Sequence, residues 1–216
     1  MGRRGRPLQR AASWRSEQRR FLIYCEGECT EVQYFKGLAR GELKSLPVTV
    51  CLGGDHGEPK SLVRSAIKHM ERAPRSAADR HTPYDEVWCV VDVEAPRPHP
   101  SFDEAVSLAR RAGVKLAVSN PCFELWLLLY VREVAAYQTS AAAQTALEKT
   151  AECGYSAGRK HLDYDQLRGG TTGTRYDEAR RRALGLRGRS DQGHRANPWT
   201  DVDILVEQLR EARIRP

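Results

Sequence analysis

No apolar run in this chain is long enough to cross a bilayer; the longest, Phe123 to Val131, is broken by Glu124. The sequence therefore predicts no membrane segment. The arginine-rich N-terminus lacks the apolar centre of a secretory leader, so the expected location is the cytoplasm. No C-x-x-C pair occurs, and His56, His99, His161 and His194 show no ligand spacing, so a finger-type zinc site is not expected. Cys25, Cys51 and Cys89 fall inside apolar runs, where a free thiol behaves as a small hydrophobe. A G-x-x-x-x-G-K-[ST] phosphate loop is also missing, which argues against this chain being an ATPase. Internal repeats are not apparent.

What the chain does hold is a set of acidic clusters, each following an apolar run. Phe21-Leu22-Ile23-Tyr24-Cys25 leads into Glu26-Gly27-Glu28-Cys29-Thr30-Glu31, and Val87-Trp88-Cys89-Val90-Val91 leads into Asp92-Val93-Glu94. Both runs have the length and the β-branched or aromatic content of buried strands. A carboxylate at the end of a buried strand is costly to desolvate unless a partner compensates. Open α/β sheets bind ligands at that edge. Two such strands side by side would bring Glu26, Asp92 and Glu94 together. A hard divalent cation relieves the resulting repulsion, and Mg²⁺ is held by one or two carboxylates plus water and phosphate oxygens.

The order of elements supports that placement. Strands are expected over 20–25, 48–52, 86–92 and 114–118. Helices are expected over 31–40, capped by Thr30; over 60–72, with Pro59 in its first turn; and over 101–111, opened by a Ser101/Glu104 capping box. A further apolar helix follows Pro121. This alternation predicts an α/β fold with a mainly parallel sheet flanked by helices, every parallel strand ending on one edge. Residues 1–19 read as a basic, flexible tail, 20–130 as the α/β domain and 131–216 as a helical appendage packed on it, without strand alternation. The formal charge of +7 is concentrated in the first 20 residues, where seven arginines face one glutamate, so the remainder carries +1. Such an arm either keeps the protein soluble or touches a phosphate backbone. The Arg175–Arg195 stretch is interspersed with acids and reads as a solvated face, with a nucleic-acid groove as the minor alternative.

Other residues carry two readings each. Glu31 is either a site acid or a dipole-favoured residue in the first turn of a helix. Glu124 sits between Phe123 and Leu125, where burial would raise its pKa unless a cation pairs with it, which favours a role at the site. Gly27 allows the backbone to approach a phosphate. Asn120 either positions substrate or caps a turn. Lys160 can reach a phosphate as a point charge or simply be exposed.

Tyr24-Cys25-Glu26-Gly27-Glu28-Cys29-Thr30-Glu31 resembles the CEGxxTE opening of the RloB-like family. The similarity continues in Tyr34-Phe35, in Ser119-Asn120-Pro121-Cys122-Phe123-Glu124-Leu125-Trp126-Leu127-Leu128-Leu129, and in Asn197-Pro198-Trp199-Thr200-Asp201-Val202. The resemblance implies a Toprim-type domain and a role in anti-phage defence, often with an ATPase encoded alongside. It maps the acid/base or metal-linked glutamate onto Glu26 and the Mg²⁺-binding D-x-D pair onto Asp92-Val93-Glu94, with a longer second arm. The resulting expectation is a Mg²⁺-dependent nuclease, with Mn²⁺ as a substitute, that cuts DNA or RNA, including tRNA. In it Glu26, Asp92 and Glu94 hold the metal, Glu26, Glu31, Glu124 and Lys160 serve catalysis, and Gly27 and Asn120 position substrate. Nucleic acid and an ATPase are the expected partners, and a homo-oligomer is compatible with the chain. The alternative is a non-catalytic subunit of a defence complex, binding nucleic acid or a partner.

Overall fold

The computed structural model describes residues 18–27, 29–53, 58–150, 153–156, 158–159, 161–170 and 175–214. Five strands form one sheet in the order β2-β1-β3-β4-β5. They are β1 (Phe21–Cys25), β2 (Val48–Leu52), β3 (Glu86–Asp92), β4 (Lys115–Asn120) and β5 (Trp199–Thr200). The first four are parallel, and β5 runs antiparallel to β4, with Ser119 opposite Thr200. The sheet is thus α/β and mainly parallel, as the alternating pattern predicts. Its fifth strand comes from the part of the chain expected to be helical. Two residues are too few to leave an alternating signature, so β5 is defined by pairing with β4 rather than by its own pattern.

Along β1 the side chains alternate between two cores. Phe21, Ile23 and Cys25 face one, and Leu22 and Tyr24 the other. Helix α1 (Thr30–Gly41) packs Tyr34, Phe35 and Leu38 into the first core. Helices α2 (Pro59–Arg72) and α3 (Phe102–Ala112) cover the second with Leu62, Val63, Ala66, Ala105 and Ala109. The chain leaves β1 for β2 on one side and returns to β3 on the other. The strand order therefore reverses between β1 and β3, which is where open α/β sheets form their crevice.

The helix ends show which local signals operate. Pro59 occupies the first turn of α2, and Glu58 caps it, its Oε2 accepting from the Ser61 amide at 2.6 Å. Gly113 closes α3 at φ 71°, a left-handed position suited to glycine. Two expected caps differ. Cys29, not Thr30, precedes α1 and makes no side-chain cap. Ser101 makes no cap bond either, because its hydroxyl lies 3.1 Å from His99 Nδ1. For Ser101 a nearer side-chain partner outcompetes the helix terminus.

Helix α4 (Glu124–Leu129) is buried all round, as its apolar composition requires. The described helices continue with α5 (Ser140–Glu148), α6 (Tyr164–Leu167), α7 (Arg175–Arg187) and α8 (Val202–Ile214). Leu147, Leu167, Ala183 and Leu205 from these helices lie in the same core as α1 and α4. Polar ties reinforce the packing. Arg187 donates to Asp203 Oδ2 at 2.7 Å and to the Thr200 carbonyl at 2.6 Å. Asp201 Oδ1 accepts from the Val118 amide at 2.6 Å. On the opposite face, His69 joins Tyr24 and Asp79, at 3.0 Å from each, and Tyr84 donates to Asp79 at 2.7 Å. No described helix is long and apolar enough to cross a membrane.

Candidate active site

The carboxylates that the sequence singles out gather at the C-terminal edge of β1, β3 and β4. Glu26 follows β1 directly, and its Oε2 accepts from the backbone amide of Asp92, the last residue of β3, at 3.1 Å. Parallel pairing sets this reach, since Cys25 lies opposite Val90 in the register. The Asp92 carboxyl faces inward, and its Oδ1 is buried without a hydrogen-bond partner among the described residues. An unpaired buried oxygen of this kind costs about 1–3 kcal/mol, and more when charged.

Glu31 approaches from the first turn of α1. It is 6% exposed, and its Oε1 accepts from the Gly27 amide at 3.2 Å. The space a side chain at Gly27 would take is filled by the Glu31 carboxyl. A Cβ at this position would stand 2.7 Å from the Glu31 carboxyl carbon. The loop after β1 is thereby folded against the helix it leads into.

Glu94 and Glu124 complete the ring. Glu94 has a left-handed backbone, φ 68°, and its Oε2 accepts from Ser140 Oγ at 2.6 Å. That bond draws its carboxylate toward the start of α5. Glu124 opens α4, is 7% exposed, and accepts from the Tyr155 hydroxyl at 3.0 Å. Burial and the adjacent Glu124 together raise the Tyr155 pKa. Asn120 ends β4 with both halves of its amide engaged: Nδ2 donates to the His194 carbonyl and Oδ1 accepts from Asn197, each at 3.0 Å. Asn197 also bridges to Gln138, at 2.8 and 2.9 Å. Lys160 and Glu28 lie outside the described residues.

The electrostatics follow from this crowding. Burial pushes the Asp92 carboxyl well above its usual range, and Glu31, Glu26, Glu124 and Glu94 push it further. Glu26 is raised to about 7, again mainly by burial; the Asp92 amide opposes the shift, and Glu31, Glu94 and Glu58 add to it. Six carboxyl groups, Glu58 included, therefore share one field. Yet no three His, Cys, Asp or Glu side chains among the described residues close on a single point. Glu26 turns to the Asp92 backbone, and Glu94 to Ser140.

This arrangement suits a hard cation better than a cage metal. Every candidate donor is a carboxylate oxygen, and Mg²⁺ needs only one or two of these beside water and phosphate oxygens. The unpartnered Asp92 Oδ1 is the atom such an ion would satisfy.

Ser140, Tyr155 and Asn197 are site residues that the sequence does not reveal as such. Each reaches the edge from a distant segment through a single polar group. Only Asn197-Pro198 carries a signal, and that through the family motif.

Strand order and acidic edge together define an α/β protein with carboxylates converging at its topological switch point. A family model described as RloB-like protein matches residues 21–209, and the chain belongs to that family. No curated protein and no solved structure matches it.

Proposed function

We propose that this protein is a Mg²⁺-dependent nuclease of the Toprim type that cuts phosphodiester bonds of DNA or RNA in anti-phage defence. The observation that carries this reading is the buried, unpartnered Asp92 oxygen surrounded by Glu26, Glu31, Glu94 and Glu124. Asp92, with Glu26 or Glu94, would hold the cation, and Mn²⁺ would serve in its place. The ion would neutralise phosphate charge and stabilise the leaving oxygen. Glu26 would be either a ligand of the cation or the group that accepts a proton from the attacking water. Gly27, expected to bring the backbone close to a phosphate, leaves its space to the Glu31 carboxyl instead. Glu31 holds the Gly27 loop, and Tyr155 fixes Glu124, so both act by positioning.

The test is incubation of purified protein with labelled DNA, RNA and tRNA, with and without Mg²⁺ or Mn²⁺. Cleavage by the wild type that is lost in Glu26→Gln and Asp92→Asn is the expected result, with a fall on the order of 10²–10⁴-fold for Glu26→Gln. A second reading, a non-catalytic subunit working with an ATPase, draws on the open spread of the carboxylates. Metal-stimulated cleavage would sink it; full cleavage by both variants would sink the nuclease mechanism.

A further inference from the structure

Several arginines of the C-terminal helices are neutralised within the fold. Arg180 pairs with Glu207, Arg181 with Glu133 and Glu178, Arg187 with Asp203 and Arg210 with Glu42. Helix α2 is different. Its basic residues Lys60, Arg64, Lys68 and Arg72 recur every fourth position, and the last three are exposed. Arg64, Lys68 and Arg72 have no hydrogen bond or ion pair among the described residues, although Arg64 lies within electrostatic reach of Glu104.

On an α-helix, four residues advance about 6 Å and turn about 40° past one full circle. The series therefore winds slowly across the outer face of α2. Its first half lines a cleft of about 390 Å³ against α3, with Ser107 and Arg111 opposite. Its far end lines a second cleft of about 420 Å³ that also holds Arg20 and Arg80. The acids facing the start are already engaged, Glu104 with Lys60 and Asp103 with Arg195 at 3.6 Å. Glu71 is the one acid on α2 itself. The path begins beside the candidate site: the Gly53 amide donates to the carbonyl of Cys25, the neighbour of Glu26, at 3.1 Å, and Gly53 lies against Leu62 in the first half of α2.

We propose that this stripe, Lys60 to Arg72, is a track that holds the phosphate backbone of one nucleic-acid strand and leads it away from the carboxylate edge. The proposal rests on the phosphodiester reading of that edge. Regularly spaced cations along one helix, three of the four without a side-chain partner among the described residues, recognise phosphates without reading bases, and each neutralised phosphate releases counterions. The track therefore binds independently of sequence.

The experiment is fluorescence anisotropy with a labelled single-stranded oligonucleotide, in chelator, over a range of salt concentrations. It compares the full-length wild type with the triple variant Arg64→Gln/Lys68→Gln/Arg72→Gln. A control, Arg40→Gln/Lys44→Gln, removes exposed charge from the α1 end on the opposite face. The triple variant should keep the wild-type circular dichroism and bind at least tenfold more weakly. Its log affinity against log salt should flatten by about 0.7 for each phosphate that is no longer neutralised, while the control stays near wild type. Unchanged affinity and slope in the triple variant, an equal loss in the control, or no binding by the wild type would each overturn the track. Cleavage with Mg²⁺ is read separately. An α2-dependent binder that cleaves nothing leaves the track standing and removes the nuclease reading. Cleavage by the wild type with unchanged binding in the triple variant does the reverse.

Discussion

Glu26 and Asp92 meet through a backbone amide rather than through their carboxyl groups: the Glu26 side chain accepts the Asp92 N–H, and Asp92 Oδ1 is left buried and unpaired. One hydrogen bond thus fixes the distance between two neighbouring strand ends. It also satisfies the first acid without drawing on the second, and Asp92 Oδ1 remains the atom that the proposed cation would meet.

Both carboxyls bind protons more tightly in the folded chain than in the unfolded one. The Glu26 contribution to stability is therefore complete below the unfolded value, about 4.3 for a glutamate, and is lost as pH rises through about 7, where folded Glu26 titrates; the Asp92 contribution is lost with rising pH in the same direction. In chelator, the melting temperature should fall across that window. Saturating Mg²⁺ or Mn²⁺ should reduce the fall, because an ion that binds only the folded, deprotonated site stabilises it by mass action. Asp92→Asn should show a shallower fall and a smaller metal effect. Differential scanning fluorimetry from pH 4.5 to 8 measures all three, and a melting temperature that rises across the window in the metal-free wild type would contradict the assignment.

Gly27→Ala should destabilise the protein by about 0.5–1.5 kcal/mol, the net worth of a hydrogen bond such as Gly27–Glu31, because the methyl meets the movable end of a flexible side chain rather than backbone. The new methyl would meet the Glu31 carboxyl. Either the loop moves and the Gly27–Glu31 bond breaks, or Glu31 swings away and alters the field at Asp92. Urea unfolding gives the energy. Glu31→Ala introduced into Gly27→Ala should recover part of it, because the collision partner is then gone.

Arg187→Ala should cost about 3–5 kcal/mol, since it leaves Asp203 charged, buried and alone. The Asp203 side chain is 3% exposed, and both of its oxygens are held by that guanidinium. Arg187→Met combined with Asp203→Leu should lose much less, because neither charge remains. A double-mutant cycle on denaturant midpoints separates these outcomes, and a loss under about 1 kcal/mol for Arg187→Ala, the range of exposed pairs, would show the pair to be solvated.

The site's skeleton is readable in the sequence because two signals coincide there. Apolar runs such as Val87 to Val91 mark strands, and parallel connectivity sends their ends to one edge, so Glu26 and Asp92 can be placed from pattern alone. Glu124 stands out by its apolar neighbours. What stays illegible depends on single long-range hydrogen bonds. Nothing near Ser140 announces its bond to Glu94, and nothing near Tyr155 announces Glu124. Asn120 reads as a phosphate ligand or a cap, whereas its amide is spent on His194 and Asn197, 74 and 77 positions away. Helix α7 shows a related limit. Its arginines alternate with acids in sequence, but Glu207, Glu133 and Asp203, which pair with them, come from other segments.

Helix α1, which carries Glu31, finishes its packing only against the end of the chain. Glu42, beyond its last turn, accepts from the Tyr164 hydroxyl at 2.8 Å and from Arg210, 168 positions later, also at 2.8 Å. The helix that brings Glu31 to the acidic edge is thus anchored at its other end by α6 and α8, so loosening either of these distant helices should be felt at the acids.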